Sequence, residues 1–186
     1  MNQRIKKSRC GFVVIKLRVC GKVCFLMRQN ARWNDLNFIG GHEKACDGAS
    51  LRKAARRELL EEVPYLRSNR SFELAPLTTQ FVHGPVYSRS AGCDVEYELQ
   101  FFCVEFETSP EHLLESLGPR SANKLVCQDD LLLPRSYRTS KLVQVLSDKL
   151  SDGLQAIPFS WPEDVGATLS DTRQMDLPLN WSSPGA

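Results

Sequence analysis

The chain has 186 residues, 42% of them hydrophobic and 25% charged, with a formal net charge of +2. That length suits one domain with a substantial core and argues against two, and the composition is that of an ordinary soluble globular protein. Nearly balanced charge gives no signal of bulk affinity for nucleic acid or membrane, and no stretch approaches the roughly eighteen apolar residues that span a bilayer.

Taken in order, Arg4, Lys6, Lys7 and Arg9 read as a frayed basic terminus. Residues 10–19 (CGFVVIKLRV) and 22–28 (KVCFLMR) are apolar and β-branched and predict two strands. Cys20-Gly21 is the tight hairpin between them, glycine being free to take positive φ. The run 11–17 is short, carries Lys16 and lacks a small-residue cleavage site, so it reads as a strand and not a signal peptide. A polar, aromatic connection over 29–37 holds Trp33 and Asp35. A short strand over 36–39 then delivers the chain to Gly40-Gly41, where a sharp turn and close approach to a ligand are expected.

Ser50 is the expected N-cap of the helix that follows, and Pro64 stops it. Leu51, Ala54, Ala55 and Leu59 fall at i, i+3, i+4 and i+8, an apolar stripe fit to dock on a sheet. Glu58, Glu61 and Glu62 crowd onto one patch of the same helix. Like charges at that spacing destabilise a helix by roughly 0.2–0.5 kcal/mol per pair. A hard divalent cation reverses the sign, because Mg²⁺ takes oxygen ligands from a few carboxylates and from substrate phosphates. The competing reading is a solvated acidic face. Arg57, one turn before Glu61, is placed for an intrahelical ion pair.

Strand-like runs fill 72–86, interrupted by Pro76 and Pro85, and a hairpin connection over 88–94 turns around Gly92. Residues 95–106 alternate, with Val95, Tyr97, Leu99, Phe101 and Cys103 on one face and Glu96, Glu98 and Gln100 on the other. Those glutamates face either solvent or a cleft. SPEHLLESL (109–117) predicts a short helix opened by Ser109-Pro110. A loop over 118–123, a strand near 124–127, a turn or short helix over 129–133 and a core helix over 137–150 follow, the last carrying Leu142, Val145, Leu146 and Leu150. Beyond Gly153 periodicity ends. A domain over 1–153 is expected, with an irregular tail over 154–186 that is disordered or draped on the domain. Seven cysteines without CxxC pairs argue against a zinc site and a complete disulfide framework, and make a reducing cytoplasm the expected compartment.

The stretch 38–64 resembles the signature of the Nudix hydrolase superfamily: a glycine, five residues, Glu, seven residues, then Arg-Glu-apolar-x-Glu-Glu-x-Gly-apolar. Gly41 and the run Arg57, Glu58, Leu59, Glu61, Glu62 match in type and order. The loop between Gly41 and Arg57 is longer by two residues, Ala49 stands where the pattern has Glu, and Pro64 where it has glycine. Glu43 or Asp47 is positioned to refill the acidic place that Ala49 leaves. The resemblance implies an α/β fold, an α/β/α sandwich with a central mixed β-sheet. It further implies Mg²⁺ (or Mn²⁺) held by Glu58, Glu61 and Glu62, with Arg57 holding that constellation in place. The implied reaction is hydrolysis of the phosphoanhydride of a nucleoside diphosphate linked to another group. Gly40 and Gly41 would seat the loop against the helix. Arg28 and Arg32 are candidate diphosphate partners, or simply exposed. Trp33, Phe38 and Tyr87 are candidates to stack on a base, or to pack. For the general base Glu98 is open, as are Glu96, His83 and a glutamate of the helix itself. The alternative is a catalytically weak or inactive module binding a nucleotide or a protein partner. The expected partner is a nucleotide-diphosphate small molecule, and a homodimer is compatible with the sequence.

Overall fold

The computed structural model describes residues 5–117, 121–132 and 139–165. Strands β1 (Lys6–Val14) and β2 (Lys16–Val19) are one extended run, and the step at the fully buried Ile15 carries it from one sheet into another. β3 (Lys22–Asn30) returns antiparallel to β2. The hairpin residues Cys20 and Gly21 both sit at positive φ, 48° and 78°, which matches a two-residue turn to strand twist. Next come β4 (Asp35–Asn37), β5 (Ile39–His42), α1 (Leu51–Glu62), the one-turn α2 (Tyr65–Ser68), β6 (Phe72–Pro76), β7 (Phe81–Ser88) and β8 (Cys93–Phe106). α3 (Glu111–Glu115), β9 (Asn123–Cys127), α4 (Gln128–Leu132), α5 (Lys141–Lys149) and β10 (Asp164–Val165) complete the described chain.

The first sheet has the order β5-β1-β8-β6, with β7 also on β8. The second has β10-β2-β3-β4, with β9 on β3. Both are mixed, since β1 runs parallel to β8 and β10 parallel to β2. The expected α/β/α sandwich with mixed β-sheet is thus observed, its strands divided between two five-stranded sheets joined by the 6–19 run. The two faces of that run feed two cores. Val13, Ile15 and Leu17 pack with Leu51, Ala55 and Leu59 of α1 and Leu113 of α3. Phe12 and Val14 pack with Phe25, Phe38 and Phe101 and with Val143 and Leu146 of α5. The period-two alternation of one strand thus fixes which helix lies on which face.

Four expectations change. Lys6, Lys7 and Arg9 are not frayed: they pair in register with Val95, Glu96 and Glu98, and opposite charges meet at Lys7–Glu96 (3.3 Å) and Arg9–Glu98 (2.9 Å). Gly40-Gly41 is not a sharp turn but part of β5, paired with Phe12 and Gly11. Ser109 gives α3 no side-chain cap; Pro110 is the N-cap residue. Finally, residue 153 does not end the packed chain. Leu154, Ile157 and Val165 are buried, and Asp164–Val165 adds a strand beside Arg18–Val19. The buried Lys16 holds this segment, its Nζ donating to the carbonyls of Leu154 (3.3 Å), Gln155 (3.1 Å) and Ile157 (2.9 Å). Parts of the predicted loop at 118–123 and of the helix beginning at 137 lie outside the described residues, as do Arg4, Leu133 and the tail from 166. None of the seven cysteines is joined in a disulfide. Among the described residues no helix is long and apolar enough to cross a membrane.

Candidate active site

Helix α1 begins where Ser50 Oγ accepts from the Lys53 N–H at 3.3 Å, and its buried stripe of Leu51, Ala54, Ala55 and Leu59 lies on the first sheet. Two glycines let it come close. A Cβ on Gly11 would stand 2.3 Å from the Leu51 carbonyl oxygen, and one on Gly41 2.9 Å from Cδ of Glu58. The absent side chain at 41 is therefore what seats the Glu58 carboxylate on β5.

The three glutamates each meet a cation. Glu58 lies against Arg57 Nη1, with Lys44 Nζ at 3.9 Å. Glu61, the most exposed of the three, has Lys44 at 3.6 Å and Arg57 at 3.3 Å. Glu62 takes Arg28 Nε at 3.1 Å and the Gly40 N–H at 3.4 Å. Burial pushes the Glu62 carboxyl up to about 7; Arg28 opposes the shift, and the charges of Glu58 and Glu61 add to it. Arg57 is braced from the other side by Asp47, Nε to Oδ1 at 3.1 Å and Nη2 to Oδ2 at 3.0 Å. That guanidinium, overcoming the cost of burial, holds the Asp47 carboxyl below its ordinary range. Asp47 is thus the acid that lies against Arg57 on its side away from Glu58 and Glu61.

Of the other candidates, the structure brings in Arg28, Gly40 and Gly41. Arg32 and Trp33 belong to a separate cluster in the β3–β4 turn. The Trp33 ring lies between the guanidinium groups of Arg32 (4.7 Å) and Arg89 (4.5 Å), and Arg89 is tied to the buried Asp35 at 2.7 Å. Glu98 is held by Arg9, which also binds Glu43 at 2.6 Å, and Glu96 by Lys7. His83 sits in β7 opposite Tyr97. Phe38 is buried among Phe25 and Phe101, so it packs and does not stack on a ligand; Tyr87 is 66% exposed on β7. Sequence reasoning missed Lys44, which bridges Glu58 and Glu61. It also missed Asn123, whose Nδ2 donates to the Glu62 carbonyl at 2.7 Å while its buried Oδ1 has no partner among the described residues. Neither has a local signal, because Asn123 reaches the site only through the pairing of β9 with β3.

No protein-family model matches the chain, and no curated protein matches it. Solved structures do. NrtR of Shewanella oneidensis, a protein with a NUDIX domain, superposes with a TM-score of 0.52 at 16% identity, covering 76% of this chain and 64% of that one. The fold is Nudix-like. This chain thus spans slightly less than two thirds of NrtR's length. Ap4A hydrolase of C. elegans (TM-score 0.47, 15% identity, 67% of this chain and 83% of that one) also matches. So does a NUDIX hydrolase from Nitrosomonas europaea (0.45, 18%, 83% and 97%).

On this Nudix-like scaffold the acidic helix, its glycine seat and its bracing arginine occupy one continuous patch. The donors suit a hard cation, being carboxylate oxygens, one of them half-buried and pushed toward neutrality chiefly by that burial. They are not gathered into a cage: among the described residues no three acidic, His or Cys side chains converge as a metal cluster. Arg57, Lys44 and Arg28 supply the neutralising charge instead, so rotation of the carboxylates away from these cations would have to accompany ion uptake.

Proposed function

We propose that the protein is a Mg²⁺- or Mn²⁺-dependent hydrolase of the phosphoanhydride in a nucleoside diphosphate linked to a second group. The observation that carries this reading is the half-buried Glu62 carboxylate, set beside two further acids on one helix and facing the Gly40 N–H. Glu58, Glu61 and Glu62 would hold the ion, which when bound supplies neutralisation of the diphosphate oxygens and a water of lowered pKa. Arg57 keeps Glu58 and Glu61 in place through its anchor on Asp47. Arg28, freed from Glu62, is a fork-shaped donor for a diphosphate oxygen pair, and Lys44 a point charge beside it. Glu98 serves as base only when Arg9 releases it, so a glutamate of α1 is the shorter route for the proton.

A second reading, a nucleotide-binding module without turnover, is favoured by one observation: all three carboxylates already have side-chain cations. Release of phosphate or nucleotide from a panel of dinucleoside polyphosphates and nucleotide sugars, with Mg²⁺ and with Glu61→Gln and Glu62→Gln controls, separates the two. Turnover abolished by both substitutions is expected. Turnover that survives them moves the site elsewhere, and saturable binding without turnover selects the module.

A further inference from the structure

On the outer side of α1, away from its buried stripe, an open groove of about 460 Å³ is lined by Lys53, Arg56, Arg57, Leu60, Glu61, Arg67 and Arg70. Five of these seven residues are cations and one is an acid. Arg57 is matched by Asp47, Glu58 and Glu61, but the other four take no carboxylate partner among the described residues. Arg56 rests on the Phe72 ring at 4.5 Å. Arg67 donates to the carbonyls of Leu60 (2.6 Å) and Glu61 (3.0 Å), and Arg70 Nε to that of Arg67 (3.3 Å). These contacts fix the side chains and leave their charge uncompensated. The overall charge of +2 conceals this local excess.

We propose that this groove binds the sugar-phosphate backbone of a single-stranded nucleic acid, whose end carries the phosphoanhydride into the glutamate site. The proposal rests on the hydrolase reading above and names the second group of its substrate. Two features favour an extended polyanion. Lys53 and Arg56 stand about one turn (5.4 Å) apart on α1. Arg67, held on the Leu60 carbonyl one turn further, and Arg70, held on Arg67, continue the row, so the cations are strung along a track and do not converge on one phosphate. The groove's lining also includes Arg57 and Glu61, which belong to the site itself, so an anion lying in it is continuous with a diphosphate there. The guanidinium planes of Arg56 and Arg70 offer sequence-tolerant surfaces of the kind that single strands use.

The test is fluorescence anisotropy of the full chain with a single-stranded RNA of about ten nucleotides, in chelator, at salt between about 50 and 200 mM. Lys53→Gln/Arg56→Gln/Arg70→Gln should weaken binding at least tenfold at the lower salt. It should also flatten the log–log salt slope by about 2, since each neutralised phosphate on a single strand contributes roughly 0.7. Lys53→Gln/Arg70→Gln, which leaves the Arg56–Phe72 contact in place, should give an intermediate loss with an unchanged melting temperature. Equal binding by the triple variant, or equal competition by an acidic peptide, overturns the proposal. Hydrolysis of a small dinucleoside polyphosphate, followed in parallel, should be unaffected by these substitutions. RNA binding lost in the variant while the wild type turns over nothing retires the hydrolase reading and retains the groove.

Discussion

Asp47 grips Arg57 with both carboxylate oxygens, at 3.1 and 3.0 Å, from a one-turn 3-10 segment ten residues earlier. The pair is buried, the Asp47 side chain being 4% exposed, and it fixes the arginine that touches Glu58 and Glu61. Removing Asp47 takes two charge-assisted hydrogen bonds from Arg57 and leaves it Glu58 and Glu61 as partners, at a cost of about 2 kcal/mol. Asp47→Ala should lower the denaturant midpoint accordingly and reduce any Mg²⁺-dependent turnover. Adding Ala49→Glu to it should not restore either quantity, because Ala49 sits at φ 59° and its side chain leaves from a different point of the loop.

Gly11 and Gly41 face each other across β1 and β5, yet alanine should act differently at the two. At position 11 the added methyl meets the Leu51 backbone carbonyl at 2.3 Å, so α1 must lift off the sheet. Overpacking of this kind costs about 1–3 kcal/mol or more. At position 41 it meets only the end of the Glu58 side chain, which can swing away. Gly11→Ala should therefore depress the melting temperature strongly. Gly41→Ala should leave it nearly intact and weaken Mg²⁺ uptake measured by calorimetry.

Glu62 makes stability depend on pH. Its carboxyl is raised in the folded protein from 4.5 to about 7, so the folded state holds a proton that the unfolded chain releases. The contribution is fully present below the ordinary carboxylate range and is lost as pH rises through about 7, with a magnitude on the order of 3 kcal/mol. Metal-free protein should melt at progressively lower temperature from about pH 5 to pH 8. Glu62→Gln should flatten that trend; an equal slope in the variant assigns the dependence to another group.

Lys16 Nζ satisfies three carbonyls of the 154–157 segment from inside the domain. Lys16→Met keeps the length and removes the donor, leaving those carbonyls without it at about 2–3 kcal/mol. Limited proteolysis should then cut between 154 and 165 well below the temperature at which the wild type is cut.

The local pattern of the chain was enough to read most of its elements. Two apolar runs around Cys20-Gly21 dictated the hairpin, Ser50 and the 51–59 stripe dictated α1, and alternation over 95–106 dictated β8. Those signals survive without any partner because periodicity reports which side of an element must leave water. The glutamate patch was equally legible, since residues three and four apart share a helix face whatever surrounds them. Tertiary structure alone decided what stands opposite. It placed Arg28 on Glu62, Lys44 between Glu58 and Glu61, and Asn123 on the Glu62 carbonyl. It set Asp47 against Arg57, folded 154–165 back onto Lys16, and lined Arg67 and Arg70 up with Lys53 and Arg56. A charged side chain carries no periodic requirement of its own. Its partner is set by strand pairing and helix docking across tens of residues, and that information exists only once the core has closed.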